Sequence, residues 1–366
     1  MNKTTNWIVG IIIIAVVIWF GFLNKADDQI PSEKETIKIG VSIPLSGDVA
    51  FLGEGVRDAM LLAKENLGYT KYNYEIIFED DQFNSTNTLT AVNKLISIDK
   101  VSVISSLGSN LGNVVSPIAE ENKIVHINIG ASDSNVAEGY YNFIHWTQPS
   151  EEVRILVEEL KKRGIKKVGI FVWNQQGMVA VIDEFKNKIK DTNIEIVAEQ
   201  VHNEGEKDFR SSILKVKSSG AEIYLLATKS PEVEILTKQI KEAGISIPIT
   251  AIESFELSDQ IDLFEGNWFV SAASPLNSFN SEFNEKYERN PSFGAANAYD
   301  LINLIVMASE SKKTSTKPTT EEIAEELLKI KSFFGALGEL NVMEDGIIWS
   351  EASAKEIKNG VVVELE

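Results

Sequence analysis

Two short turns carry the densest chemistry in this sequence, SSLGSNLG (105–112) and NIGASDSN (128–135). Each follows a β-branched run, and each sets a glycine near a hydroxyl: Gly108 by Ser109, Gly130 by Ser132. The first backbone N–H groups of a helix are unsatisfied and sit at the positive end of its dipole, so such a turn suits a small anion without any lysine. Neither the G-x-G-x-x-G spacing nor the G-K-[ST] ending of a nucleotide-phosphate site is present. A carboxylate fits better. Read alone, each turn is first of all a helix cap.

Other reactive residue types point nowhere in particular. The three histidines, His126, His145 and His202, form no H-x-x-x-H pair, and His126 lies inside an apolar strand. No G-x-S-x-G elbow occurs. Asp80 and Asp81 leave a strand end in opposite directions, as a turn before a capped helix requires. With 54 carboxylates in the chain, adjacent pairs are expected by chance. The absence of cysteine removes disulfides, thiolate metal sites and thiol nucleophiles together. A formal charge of −19 speaks against a nucleic-acid partner. No enzyme, metal or cofactor is expected.

These turns need a scaffold, and 366 residues with 43% hydrophobic composition suffice for two domains. From Thr36 onward, short apolar runs alternate with amphipathic segments, the pattern of an α/β protein with parallel sheets. Strands are predicted at 37–43, 74–79, 101–105, 124–128, 167–172, 194–201, 222–227 and 268–272. The segment Glu151 to Lys162 is a helix, with Val153, Leu156, Val157 and Leu160 on one face. Ser85 and Thr320 are the expected N-caps of two further helices, and the Asn84-Ser85-Thr86 sequon reads as part of the first cap. WTQPSEE (146–152) and SAASPLN (271–277) interrupt the alternation and mark interdomain crossings.

Ahead of this region, Trp7 to Leu23 is an uninterrupted apolar run, with Lys3 before it and Lys25, Asp27 and Asp28 after it. Its length is near the minimum for a bilayer span, and no small-x-small cleavage site follows. The expectation is a single-pass signal anchor at the cell membrane. Residues 1–6 form a cytoplasmic stub, 7–23 the anchor and 24–36 a stalk, with the rest extracytoplasmic.

Several segments together resemble the type I periplasmic binding proteins, in particular the branched-chain amino acid and amide group of ABC transporter substrate-binding proteins (Leu/Ile/Val-binding-protein-like). They are IKIGVSIPLSGDVAFLGEGVRDAMLLAKE (37–65), EDDQFNSTNTLTAVNKLI (79–96), VSVISSLGSNLGNVVSPIAEENKIVHINIGAS (101–132), EKDFRSSILKVKSSGAEIYLLA (206–227) and NAYDLINLIVMA (297–308). The resemblance implies two doubly wound, Rossmann-like lobes joined by three hinge crossings, near Pro149, Pro275 and Gly335. Lobe 1 is then 37–148 plus 276–334, and lobe 2 is 149–275 plus 335–366. A ligand would lie in the cleft between them, and the lobes would close over it.

By the same resemblance, Ser109, Gly130 and Ser132, with Gly108 allowing close approach, match positions that grip an α-carboxylate. Glu253, in ITAIESFE, matches the acid that holds the ammonium group. The sequence departs from the family elsewhere. Gln176 replaces a tyrosine in FVWNQQGMV, with Trp173 as the nearest aromatic replacement. Lys229 stands where an aromatic is frequent, Phe293 neighbours Gly294 where a tyrosine often stands, and Leu52 takes an aromatic place in AFLGEG. Lys229 would either meet an acid on the ligand or pair with Glu253 and remove the ammonium site. The ligand therefore stays open among amino acids, amides and carboxylates. The resemblance implies a monomer that delivers this ligand to an ABC permease and ATPase. A membrane-tethered sensor that passes cleft closure to a separate signalling partner is the alternative.

Overall fold

The computed structural model describes residues 34–312 and 316–365. The expected stub, the anchor at 7–23 and the stalk up to residue 33 lie outside the described residues. Among those described, no helix is long and apolar enough to cross a membrane.

The chain opens with β1 (Thr36–Ile43), α1 (Ala50–Glu65), β2 (Asn73–Asp80), α2 (Ser85–Lys94), β3 (Val103–Leu107), α3 (Gly108–Asn122), β4 (Val125–Ile129) and β5 (Asn142–His145). Next come α4 (Pro149–Lys162), β6 (Lys167–Trp173), α5 (Gln176–Ile189), β7 (Glu195–His202), α6 (Arg210–Ser218), β8 (Ile223–Ala227), α7 (Glu232–Glu242), β9 (Ile249–Ala251) and β10 (Trp268–Ala272). The remainder comprises α8 (Asn277–Tyr287), α9 (Ala295–Glu310), α10 (Thr320–Leu328), β11 (Phe333–Gly335), β12 (Gly338–Val342), β13 (Ile347–Trp349), β14 (Ala352–Lys358) and β15 (Val361–Glu364).

Among the described residues, eight strands form a first sheet in the order β11-β12-β13-β5-β4-β3-β1-β2, and four form a second in the order β7-β6-β8-β9. A third, antiparallel sheet, β10-β14-β15, meets the second through an Ile252–Val270 bridge. The first sheet buries both faces, which is why its strands read as continuous apolar runs. Ile37, Ile39, Val41 and Ile43 have no exposed surface, nor do Leu301, Ile302, Leu304 and Ile305 of α9. Each such side chain contributes roughly 1.5–3 kcal/mol of transfer free energy. Where β6 meets α6, a Cβ on Gly169 would lie 2.3 Å from Val216, so only glycine permits this packing distance.

In the parallel part of the first sheet and in the second sheet the strand order reverses next to the first strand, between β1 and β3 and between β6 and β8. A crevice opens outside the carboxyl ends of strands at such a reversal. The β3–β4 register pairs Leu107 with Ile129, so the turns beginning at Gly108 and Gly130 leave the sheet side by side.

The chain passes between the sheets at 146–148, 273–276 and 350–351, three crossings as expected. The third falls later than the one placed near Gly335. β12 and β13 pair within the first sheet, because Ile347 and Ile348 align with Ile144 and His145 of β5. Residues 335–349 therefore belong to the first lobe and not, as expected, to the second. The crossings are laced together: Thr147 Oγ1 lies 2.8 Å from Ser350 Oγ and donates to Glu351 O, while Ala273 N donates to the same carbonyl. The caps also move by one residue. Asn84, not Ser85, accepts from Thr86 N and Asn87 N, and Thr319, not Thr320, forms a capping box with Glu322. Asp80 and Asp81 do staple a turn, accepting from Leu45 N and Ser46 Oγ and from Ser42 Oγ and Phe83 N respectively.

Candidate ligand-binding cleft

At the carboxyl ends of the strands the two lobes face one another across an enclosed space of about 60 Å³. The first lobe contributes Leu52, Gly108, Ser109, Gly130, Ser132 and Phe293, and the second Trp173, Lys229 and Glu253. Nine of the ten residues singled out from the sequence thus meet at one cavity. Gln176 does not: it is exposed at the start of α5, and its neighbour Gln175 both lines the cavity and caps that helix by accepting from Met178 N. Val49, Phe83, Met178 and Leu257 add an apolar lining that hydrophobicity alone does not single out.

The two glycine–serine turns are firmly built. Gly108 and Gly130 both adopt φ of +76°, a left-handed conformation that glycine takes at no steric cost. Ser109 is buried in the first turn of α3, and its Oγ accepts from Ser132 N at 3.0 Å and Asp133 N at 3.2 Å. Its hydroxyl proton is left to donate elsewhere. Across the cleft, a Cβ on Gly177 would lie 2.5 Å from Ser109 Oγ, a measure of how closely α5 approaches α3. The cavity is far below the ~300 Å³ at which small-molecule pockets begin.

Glu253 lies just beyond β9 in a left-handed conformation, φ +59°, that side chains other than glycine rarely adopt. Its amide donates to Val270 O at 2.8 Å, and only 3% of the residue is exposed. One carboxylate oxygen accepts from Trp146 Nε1 at 2.5 Å and from Ser132 Oγ at 3.2 Å. Burial pushes the carboxyl up to about 7, and the hydrogen bonds from Trp146, Glu152 and Ser132 counter only part of that rise.

The profile of the family described as periplasmic binding protein matches residues 36–353. The chain belongs to that family. Its members bind solutes, and the chain is no enzyme. Over 221 residues it is 24% identical to the leucine-, isoleucine-, valine-, threonine- and alanine-binding protein of Pseudomonas aeruginosa. That match covers 58% of each chain, so less than two thirds of this relative is spanned. A leucine-binding protein from Thermotoga maritima superposes with a TM-score of 0.83 at 24% identity, over 90% of this chain and 98% of the other. A solute-binding protein from R. palustris, solved in complex with benzoate, gives 0.81 at 18% identity, over 90% and 95%. These likenesses establish the two-lobed α/β fold.

Lys229 does not pair with Glu253. Its Nζ lies 3.2 Å from Glu204 and 3.7 Å from Glu232, donates to Ser230 O, and sits 5.0 Å from the centre of the Trp173 ring. Glu253 is therefore not neutralised by it. His126 is a core residue bonded to Ser106 and Asn142, and burial lowers it to about 4. Trp146 was legible only as part of a crossing. It packs on Phe293 with ring centroids 4.3 Å apart and turns its N–H to Glu253.

Proposed function

We propose that this chain is an extracytoplasmic solute-binding protein that captures an α-amino acid with an apolar side chain and delivers it to an ABC importer. The observation that carries the reading is the placement of Glu253, an acid without a cationic partner, in one cavity with the Ser109 and Ser132 turns and an apolar lining. A zwitterion satisfies both poles. Its carboxylate would take the Ser109 and Ser132 hydroxyls and the N–H groups at the start of α3. Its ammonium would lie against Glu253, replacing the Ser132 hydroxyl that Glu253 now accepts.

The same exchange explains closure. Ser109 and Ser132 belong to the first lobe and Glu253 to the second, so a bridging zwitterion makes its full set of contacts only when the lobes meet. Such a ligand shifts the population toward the closed form by that difference. The side chain would pack among Leu52, Phe83, Trp173, Met178, Leu257 and Phe293, where each buried methylene adds about 0.8 kcal/mol. The names of the relatives, which bind leucine and similar amino acids, agree with this chemistry. The apolar run 7–23 supports tethering at the membrane, and the family supports hand-over to a permease and its ATPase. A thermal-shift screen across amino acids, amides and short carboxylates tests the reading. Stabilisation by apolar amino acids is expected, whereas a response confined to amine-free carboxylates would refute it.

A further inference from the structure

Glu253 has a second acid beside it. Glu152, in the first turns of α4, has no exposed surface, and neither of its carboxyl oxygens meets a hydrogen-bond donor among the described residues. The carboxyl group that acts on it, both as a charge and as a hydrogen-bonding partner, is that of Glu253. A buried carboxylate with no donor is very costly, and a neighbouring carboxylate makes it costlier. A neutral acid resolves both problems, because its O–H supplies the one thing Glu253 can accept.

Among the described residues, the cation that acts on Glu152, Lys355, is held by another acid. Glu256, in the same loop as Glu253, accepts from Lys355 Nζ of β14 at 2.8 Å and from Ser271 Oγ of β10 at 2.5 Å, so the positive charge of Lys355 is already engaged. Two buried carboxyl groups, the half-buried Glu256 and the buried Lys355 ammonium thus lie beside the first and third crossings.

We propose that Glu152 is a neutral hydrogen-bond donor that holds Glu253 in place as the acceptor for a ligand's ammonium group. Glu152 is a positioning residue: it acts on the ligand through Glu253. Burial raises its carboxyl well above the usual range, and the Glu253 charge adds to the rise. The positioning role rests on the amino-acid reading of the cleft, while the location of the proton does not.

The test separates the two. Infrared difference spectra of the full-length protein in mild detergent, wild type minus Glu152→Gln at neutral pH, should show the carbonyl stretch of a protonated carboxyl group. Carboxylate bands alone would overturn the proposal. Titration with L-leucine then compares Glu152→Gln, which keeps a donor, with Glu152→Met, which has similar volume and none. The methionine variant should lose about tenfold in affinity and the glutamine variant clearly less; equal losses would overturn the positioning role. A wild-type protein that shows the acid band but binds no leucine would refute the amino-acid reading and the positioning role with it.

Discussion

Replacing Glu253 by glutamine should remove a pH-dependent cost from folding, and its size follows from the burial of this one carboxyl group. Burial raises the group from its ordinary 4.5 to about 7. At ~1.4 kcal/mol per pH unit, that amounts to about 3 kcal/mol. The folded chain binds this proton more tightly than the unfolded one. The associated stability is therefore complete below the unfolded value and is lost as pH rises through about 7. Glutamine cannot ionise, yet its oxygen still accepts from Trp146 and Ser132. Urea denaturation of both proteins at intervals from about pH 4 to 8 gives the comparison, with the midpoint slopes checked for equality. Stability of the wild type minus that of Glu253→Gln should fall by about 3 kcal/mol across this window. A difference that stays level would refute the burial argument and with it the claim that Glu253 faces the cleft as a costly, unpaired acid.

Two further expectations concern the cradle and its closure. Ser109→Ala strands the Ser132 and Asp133 amides, so it should lower stability by about 1–3 kcal/mol in urea denaturation. It should also weaken ligand binding by about 1–2 kcal/mol in calorimetry; Ser132→Ala should show a similar loss of affinity with a smaller loss of stability. Gly177→Ala puts a methyl group where Ser109 Oγ comes to rest. It should leave the stability of the open protein nearly unchanged but hold the lobes apart. Small-angle scattering would then show no ligand-induced contraction, and contraction equal to that of the wild type would contradict the proposed closure.

Much of this cleft was legible because its grammar is local. A β-branched run, then glycine, then serine at a helix start specifies where backbone N–H groups point, and the β3–β4 register brings two such turns together. The strands of the parallel core were legible for a related reason, since burial on both faces writes itself as an apolar run. Legibility failed where the answer depends on distant pairing. β11 and β13 have only three residues each, too few for a period to show, and β13 joins the first lobe solely by aligning with β5. Trp146 and Glu152 flank a proline-bearing crossing, and nothing in WTQPSEE reveals that one donates to Glu253 while the other lies buried beside it. A shift of one residue decides which side chain caps α5 and lines the cavity, so Gln175 and not Gln176 does both. The partners of Lys229 come from α7 and the loop after β7, elements that no local pattern ties to it.

The central claim is that the cleft holds a zwitterion between the serine cradle and Glu253. Calorimetric titration of the full-length protein with L-leucine and with 4-methylpentanoate, the same skeleton without its amine, tests it most directly. Leucine should bind at least about tenfold more tightly, because the amine-free acid leaves Glu253 buried without a cationic partner. Equal affinity for the two, or preference for the amine-free acid, would contradict the account.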